Sequence, residues 1–386
     1  MDMESIARRP LEAAVLVLLI GSLVLLFLRR RPAGLVWYSA LVMVALAAHL
    51  YGEHARWQMI PAYVLTVMIA FRLARPAGQP YRSARPYGAP GLILRALVVL
   101  VAVPSMVLPF VVPLFRVADP TGPHRVGHVH LIGLAHDQPD LRIWYPASAS
   151  AQTLAPFWTA ADVAESRLPG LPRLVTSHLA LVPTPAGLRA PIVTERLPVL
   201  VVMPGPCALP SDYLHITLEA ASAGWMVVVV SAPYDEAPVH EIAEHLAGLY
   251  TDGALAGRAD ADRLALLVPR ALDLPHLDIP VLTLGGGALV DAALPSGRVV
   301  VEYPGASIPA SALTVRHLFV RPSRLLVDAA IPPDRIDRIL RRTVAAILGD
   351  GSRSAPVFSA APLDEQLAAT PGLTVRVEPG SPRRAP

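Results

Sequence analysis

Apolar residues fill the first third of the chain in blocks, and short alternating strand and helix signals occupy the rest. Leu11–Leu28 is an apolar run long enough to cross a bilayer as a helix. Leu35–Leu50 is a second such block and Ile60–Leu73 a shorter third. Leu92–Phe115 is the fourth, with Arg95 near one end and Pro104, Pro109 and Pro113 inside. Arg95 at that end can reach the headgroups along its aliphatic stem, so the charge does not forbid a span. The pattern predicts an all-α membrane region over residues 1–115 with about four transmembrane helices, near 11–28, 35–50, 60–73 and 92–115. No small-residue cleavage site precedes Arg29-Arg30-Arg31, and three further apolar blocks follow. A retained helix is therefore favoured over a cleaved signal peptide.

From Arg116 the pattern changes. Pro120-Thr121-Gly122-Pro123 opens a turn, followed by strand-like runs at His128–Leu134 and Leu141–Tyr145. Residues 146–196 are rich in Pro, Ala, Ser and Thr and read as an irregular segment of loops and short helices. Beyond it the pattern predicts strands at Leu197–Met203, Trp225–Val230, Ile279–Leu284, Val299–Tyr303 and His317–Val320. Helices are predicted at Tyr213–Ala223, Ala261–Leu272, from Ala288 through Ala293, and at Asp334–Leu348. Continuous apolar strands alternating with helices predict an α/β domain over 116–386, its sheet mainly parallel and covered by helices on both faces.

Composition agrees with a membrane part: 53% of the 386 residues are hydrophobic, 16% are charged, and the mean hydropathy is +0.48. The chain has no lysine, so arginine alone sets orientation. Arg29, Arg30 and Arg31 lie in one loop, and Arg72, Arg75, Arg82 and Arg85 in another. The intervening loop 51–58 holds Arg56 opposed by Glu53. The positive-inside rule places both arginine loops in the cytoplasm and residues 116–386 on the outer face of the cell membrane. Arg8 and Arg9 pull the other way. The net charge of +3 is spread out, with no basic stripe, which excludes nucleic acid as a partner. A single cysteine, Cys207, excludes an internal disulfide.

Several short stretches, in order, resemble one family. They are Arg56-Trp57-Gln58-Met59 with Pro61-Ala62-Tyr63, and Thr121-Gly122-Pro123 leading to Trp144-Tyr145-Pro146-Ala147. Pro204-Gly205, Ala221-Ser222-Ala223-Gly224-Trp225 and Pro233-Tyr234-Asp235 follow. This set resembles bacterial membrane-anchored α/β-hydrolases related to platelet-activating factor acetylhydrolase of the isoform II type. The resemblance implies an α/β-hydrolase fold and, in active members, hydrolysis of a carboxylic ester such as an acyl chain on a phospholipid.

The chemistry that the resemblance implies is missing at each expected position. Thr283-Leu284-Gly285-Gly286-Gly287-Ala288 aligns with the turn that carries G-x-S-x-G, and Gly285 stands where the serine would. Gly286 could still donate one oxyanion N–H, but the second donor position is Pro206, which has none. The acid position is Glu302, and no histidine follows His317, which lies inside an apolar run. No catalytic set is intact. The expectation is a catalytically inactive, membrane-tethered hydrolase-like protein that binds or scaffolds, with a lipid or acyl ligand as its candidate partner. The alternative is an active esterase using residues not yet placed, such as Ser211 or Ser231.

Other chemistry is sparse. His124, His128 and His130 form H-x3-H-x-H without a nearby Cys/His/Asp cluster, so no metal is expected. His240-Glu241-Ile242-Ala243-Glu244-His245 lacks the H-E-x-x-H spacing. Gly285-Gly286-Gly287 lacks the lysine of a phosphate loop, so no cofactor is expected.

Overall fold

The computed structural model describes residues 9–27, 34–74, 89–111, 117–131, 140–165, 176–204, 209–230, 255, 257–268, 281–285, 288–294, 297–302, 340–344, 347–348 and 374–379. These fall into two units, a helical one within 1–115 that also takes in 176–178, and a sheet unit made of the other described residues from 117 onward.

The helical unit contains α1 (Pro10–Phe27), α2 (Leu35–Gly52), α3 (Ile60–Ala74) and α4 (Ala89–Val111), with a 3-10 turn over Trp57–Met59 leading into α3. Leu35–Gly52 and Trp57–Ala74 are long and apolar enough to cross a membrane, whereas the apolar stretches Pro10–Leu25 and Val98–Pro109 are shorter. Apolar side chains lie both inside this unit, where Leu19, Met59 and Ile69 are buried, and on its outside. Trp37 is 80% exposed, Phe71 67%, Leu100 68% and Val17 66%, while Glu12, His49, Arg56, Gln58 and Thr66 are buried. Buried hydroxyls are satisfied within their own helices: Ser22, Ser39, Thr66 and Ser105 each donate to the carbonyl four residues back.

Glu53, just after α2, ties three helices together. Its carboxylate accepts the backbone N–H groups of Leu11 and Glu12, both at 2.9 Å, capping the first turn of α1. His49 Nδ1 lies 3.0 Å from Glu53 Oε2, and His49 Nε2 lies 2.7 Å from the Tyr63 hydroxyl on α3. Arg56 Nη1 donates to Glu12 Oε1 at 2.9 Å. The Arg56 and Tyr63 motifs are therefore interhelical ties.

The sheet unit is mixed α/β. Its strands are β1 (Arg125–Leu131), β2 (Leu141–Ala147), β3 (Leu154–Pro156), β4 (Pro183–Leu188), β5 (Leu197–Val202), β6 (Met226–Val230), β7 (Ala259–Val268), β8 (Val281–Gly285), β9 (Ala288–Leu294), β10 (Gly297–Glu302) and β11 (Thr374–Pro379). They form one sheet in the order β11-β10-β9-β8-β7-β5-β6-β2-β1-β4-β3. The described helices are α5 (Ala160–Glu165) and α6 (Leu214–Ser222). The expected helix at Asp334–Leu348 is described only at 340–344 and 347–348, which are helical, and the expected strand at His317–Val320 lies outside the described residues.

Four expectations are corrected. The sheet is mixed rather than mainly parallel: β6, β5, β7 and β8 run parallel, whereas β2 against β6 and the β8-β9-β10-β11 side are antiparallel. Ala261–Leu272 is not a helix, because Leu264–Val268 is a central strand between β5 and β8. Ala288–Ala293 is not a helix start but most of β9, paired on both sides. The irregular segment 146–196 contains β3 and β4, and β4 lies parallel to β1.

The core explains the strands that were legible. Leu197, Val199 and Val201 on β5 pack with Met226, Val228 and Val230 on β6 and with Leu141 and Ile143 on β2, all buried. The Thr121-Gly122-Pro123 turn lies against the end of α6: Gly122 N–H donates to Ser222 Oγ at 3.1 Å, and a Cβ on Gly122 would lie 2.4 Å from the Ser222 carbonyl. Only glycine fits there.

Candidate functional site

Parallel α/β sheets present their ligands at the carboxyl ends of the strands, where successive connections leave in opposite directions. The chain runs from β5 to β6 on one side and then to β7 on the other, and both pair in parallel with β5. The switch point is therefore the carboxyl edge between β5 and β7. Met203 and Pro204 leave β5 there, both buried, and the chain re-enters regular structure in a 3-10 turn over Pro210–Tyr213 that runs into α6. Asp212 Oδ2 accepts the Leu209 N–H at 2.9 Å and so fixes that first turn. Ser211, Asp212 and His215 are all buried.

Gly285 is the last residue of β8, and its Cα is paired with Ala288 of β9 across an antiparallel hairpin. This removes the strand-turn-helix geometry that a nucleophile elbow needs. The physical reason is that Ala288–Leu294 gains ladder hydrogen bonds from β8 and β10 at once, which outweighs the helix preference of its alanines and leucines. A Gly-Gly dipeptide between two apolar runs, as at 286–287 of the sequence, is a signal for paired antiparallel strands that sequence reasoning passed over. Gly286 itself lies outside the described residues, as do Pro206, Cys207, His317 and Ser231.

Glu302 ends β10 and pairs with Thr374 of β11. It shares the carboxyl edge with Gly285, since β8 and β10 flank the antiparallel β9 and so point the same way. Two strand spacings separate them, about 10 Å. The fold brings these two positions to one edge but not into contact. The strand beside β5 at the switch point is β7, with β8 next beyond it, and the residues that directly follow Val268 lie outside the described residues. Residues 269–282 contain no serine, threonine or cysteine, and neither do 284–295.

Of the histidines in the H-x3-H-x-H stretch, His128 is packed inside the sheet unit. His128 on β1 stacks on Trp144 of β2 with ring centroids 4.8 Å apart and is 5% exposed. His130 Nε2 lies 3.5 Å from Asp140 Oδ2. No group of three or more candidate metal ligands occurs among the described residues. Burial, reinforced by the neighbouring charge of Arg142 and by His130, lowers the His128 pKa from 6.5 to about 3, against an opposing pull from Asp162. Arg142 and Asp162 form a buried bidentate pair, Nη1–Oδ2 2.6 Å and Nη2–Oδ1 2.7 Å. Nothing in local sequence joins these two residues. The one legible sign was Thr159-Ala160-Ala161-Asp162, a capping box at the start of α5 in which Asp162 Oδ2 accepts the Thr159 N–H at 2.7 Å.

No protein-family model matches the chain. No curated protein matches it either. Among solved structures it is similar to a ferulic acid esterase from Streptomyces cinnamoneus, at 17% sequence identity and a TM-score of 0.46, over 68% of this chain and 99% of that one. The account of the site rests on this chain's own strand order and residues.

Proposed function

We propose that the chain is a bilayer-anchored protein of the α/β-hydrolase type whose sheet unit holds an acyl or lipid ligand at the carboxyl edge between β5 and β7, without the serine chemistry of active relatives. One observation carries this reading: β7, which flanks the switch point, and β8 beside it are followed in sequence by stretches with no hydroxyl or thiol side chain, and β8 is followed by the antiparallel strand β9 rather than by a helix. The ordered motifs shared with the platelet-activating factor acetylhydrolase group support the ligand class. The exposed apolar side chains of the helical unit, among them Trp37, Phe71 and Leu100, support the anchor, because lipid is a favourable surrounding for them. Arginine-bearing loops on the cytoplasmic side put the sheet unit on the outer face.

The test uses the full chain in detergent micelles. The expected result is p-nitrophenyl butyrate turnover indistinguishable from that of the Gly285→Ala variant and of empty micelles, together with saturable binding of 11-(dansylamino)undecanoic acid. Turnover above background, or absence of saturable binding, overturns the proposal.

A further inference from the structure

Ser211 stands out among the polar residues of the switch-point edge. It lies in the first turn of the β5–β6 connection, which topology places at the carboxyl end of β5. The residue is 3% exposed, and its hydroxyl has no hydrogen-bond partner among the described residues. A buried hydroxyl without a partner costs about 1–3 kcal/mol, so native folds seldom keep one without a use. Its backbone setting is fixed: Asp212 Oδ2 takes the Leu209 N–H at 2.9 Å and closes the turn around it. Proline at 210 holds the entry to that turn. The neighbouring chain buries Met203, Leu214 and Leu218 together with the polar Asp212 and His215. A buried hydroxyl donor at the ligand-presenting edge of the sheet is the complement of a carbonyl or carboxylate oxygen.

We propose that Ser211 Oγ is the polar anchor of the ligand site, donating its hydrogen to the carboxylate or ester carbonyl oxygen of a bound acyl group. This rests on the reading of the switch point as an acyl site and names the group that orients the ligand there. No bond is made or broken: the hydroxyl acts as a donor and the ligand oxygen as an acceptor.

The test compares the full chain with Ser211→Ala in detergent micelles, by titration with 11-(dansylamino)undecanoic acid and by thermal unfolding of the ligand-free protein. A hydrogen bond to a charged acceptor is worth about 1.5–3 kcal/mol, so Kd is expected to rise roughly ten- to a hundredfold in the variant. The unliganded Tm is expected to stay the same or rise, because alanine removes an unsatisfied group. An unchanged Kd overturns the assignment of Ser211 while leaving the acyl site standing. A lowered Tm shows that the hydroxyl is already bonded inside the fold, and also overturns it. If the unmodified protein fails to bind the probe, the acyl-site reading itself falls, and this inference with it.

Discussion

Replacing Asp162 by alanine is expected to cost about 3–5 kcal/mol of folding stability, the usual penalty for stranding one partner of a buried ion pair. The Arg142 side chain is 6% exposed and that of Asp162 is 0%, so neither end can turn to water when the other is removed. The carboxylate also serves the start of α5. It takes the Thr159 N–H at 2.7 Å and the Thr159 hydroxyl at 3.0 Å, and the variant loses both along with the charge. Arg142 lies on β2 in register with His130, two residues from Trp144, so the stranded guanidinium sits inside the sheet unit rather than at its rim. Urea unfolding followed by tryptophan fluorescence should show the midpoint falling with little change in slope. A loss below about 1 kcal/mol would mean that water or another carboxylate reaches Arg142. The double variant Arg142→Leu with Asp162→Leu should recover part of the loss, since a matched apolar pair leaves no buried charge.

Acid should destabilise the sheet unit through His128. The ring must stay neutral where it stacks on Trp144, and its folded pKa of about 3 lies below the unfolded value of 6.5. The unfolded chain therefore takes up a proton that the folded chain refuses. The sign follows: this contribution is fully present above pH 6.5, declines as the pH falls, and is exhausted below about 3. At about 1.36 kcal/mol per pH unit the whole window is worth on the order of 5 kcal/mol. His128→Phe keeps a ring against Trp144 and removes the proton uptake. Denaturant midpoints of the two proteins between pH 7 and pH 4 should diverge, with the unmodified protein losing more. Parallel curves would show that His128 already finds a partner for its charged form.

Strands β5 and β6 were legible because Leu197–Val202 and Met226–Val230 are continuous runs rich in valine, bounded by proline or glycine. Helix α6 was legible too, since residues 213–223 lie between them and a strand-to-parallel-strand connection needs a helix. The misread elements share a composition. Apart from Asp291, Leu264–Val268 and Ala288–Leu294 are built from leucine, alanine and valine, which suit a helix as well as a strand, and only tertiary pairing decides between them. The same ambiguity lies behind the reading of Gly285 as the head of a strand-turn-helix, where β8 is followed by the strand β9. The carboxyl edge after β5 was found from Pro204-Gly205, yet Ser211 had no more claim than Ser231. What singles it out is burial without a partner, a property of packing that no local pattern encodes. The Arg142–Asp162 pair was invisible for the same reason, because its members meet only when α5 folds back on β2.

The central claim is that an acyl ligand sits at the β5–β7 edge, and photo-crosslinking tests it most directly. The full chain, reconstituted in phosphatidylcholine vesicles, would be irradiated with a fatty acid bearing a diazirine on its chain, then digested and mapped by mass spectrometry. The account predicts adducts in the sheet unit concentrated in peptides spanning residues 203–218, diminished by excess unlabelled fatty acid. Adducts in the sheet unit confined to residues 281–302, or none there above an irradiated vesicle control, would contradict it.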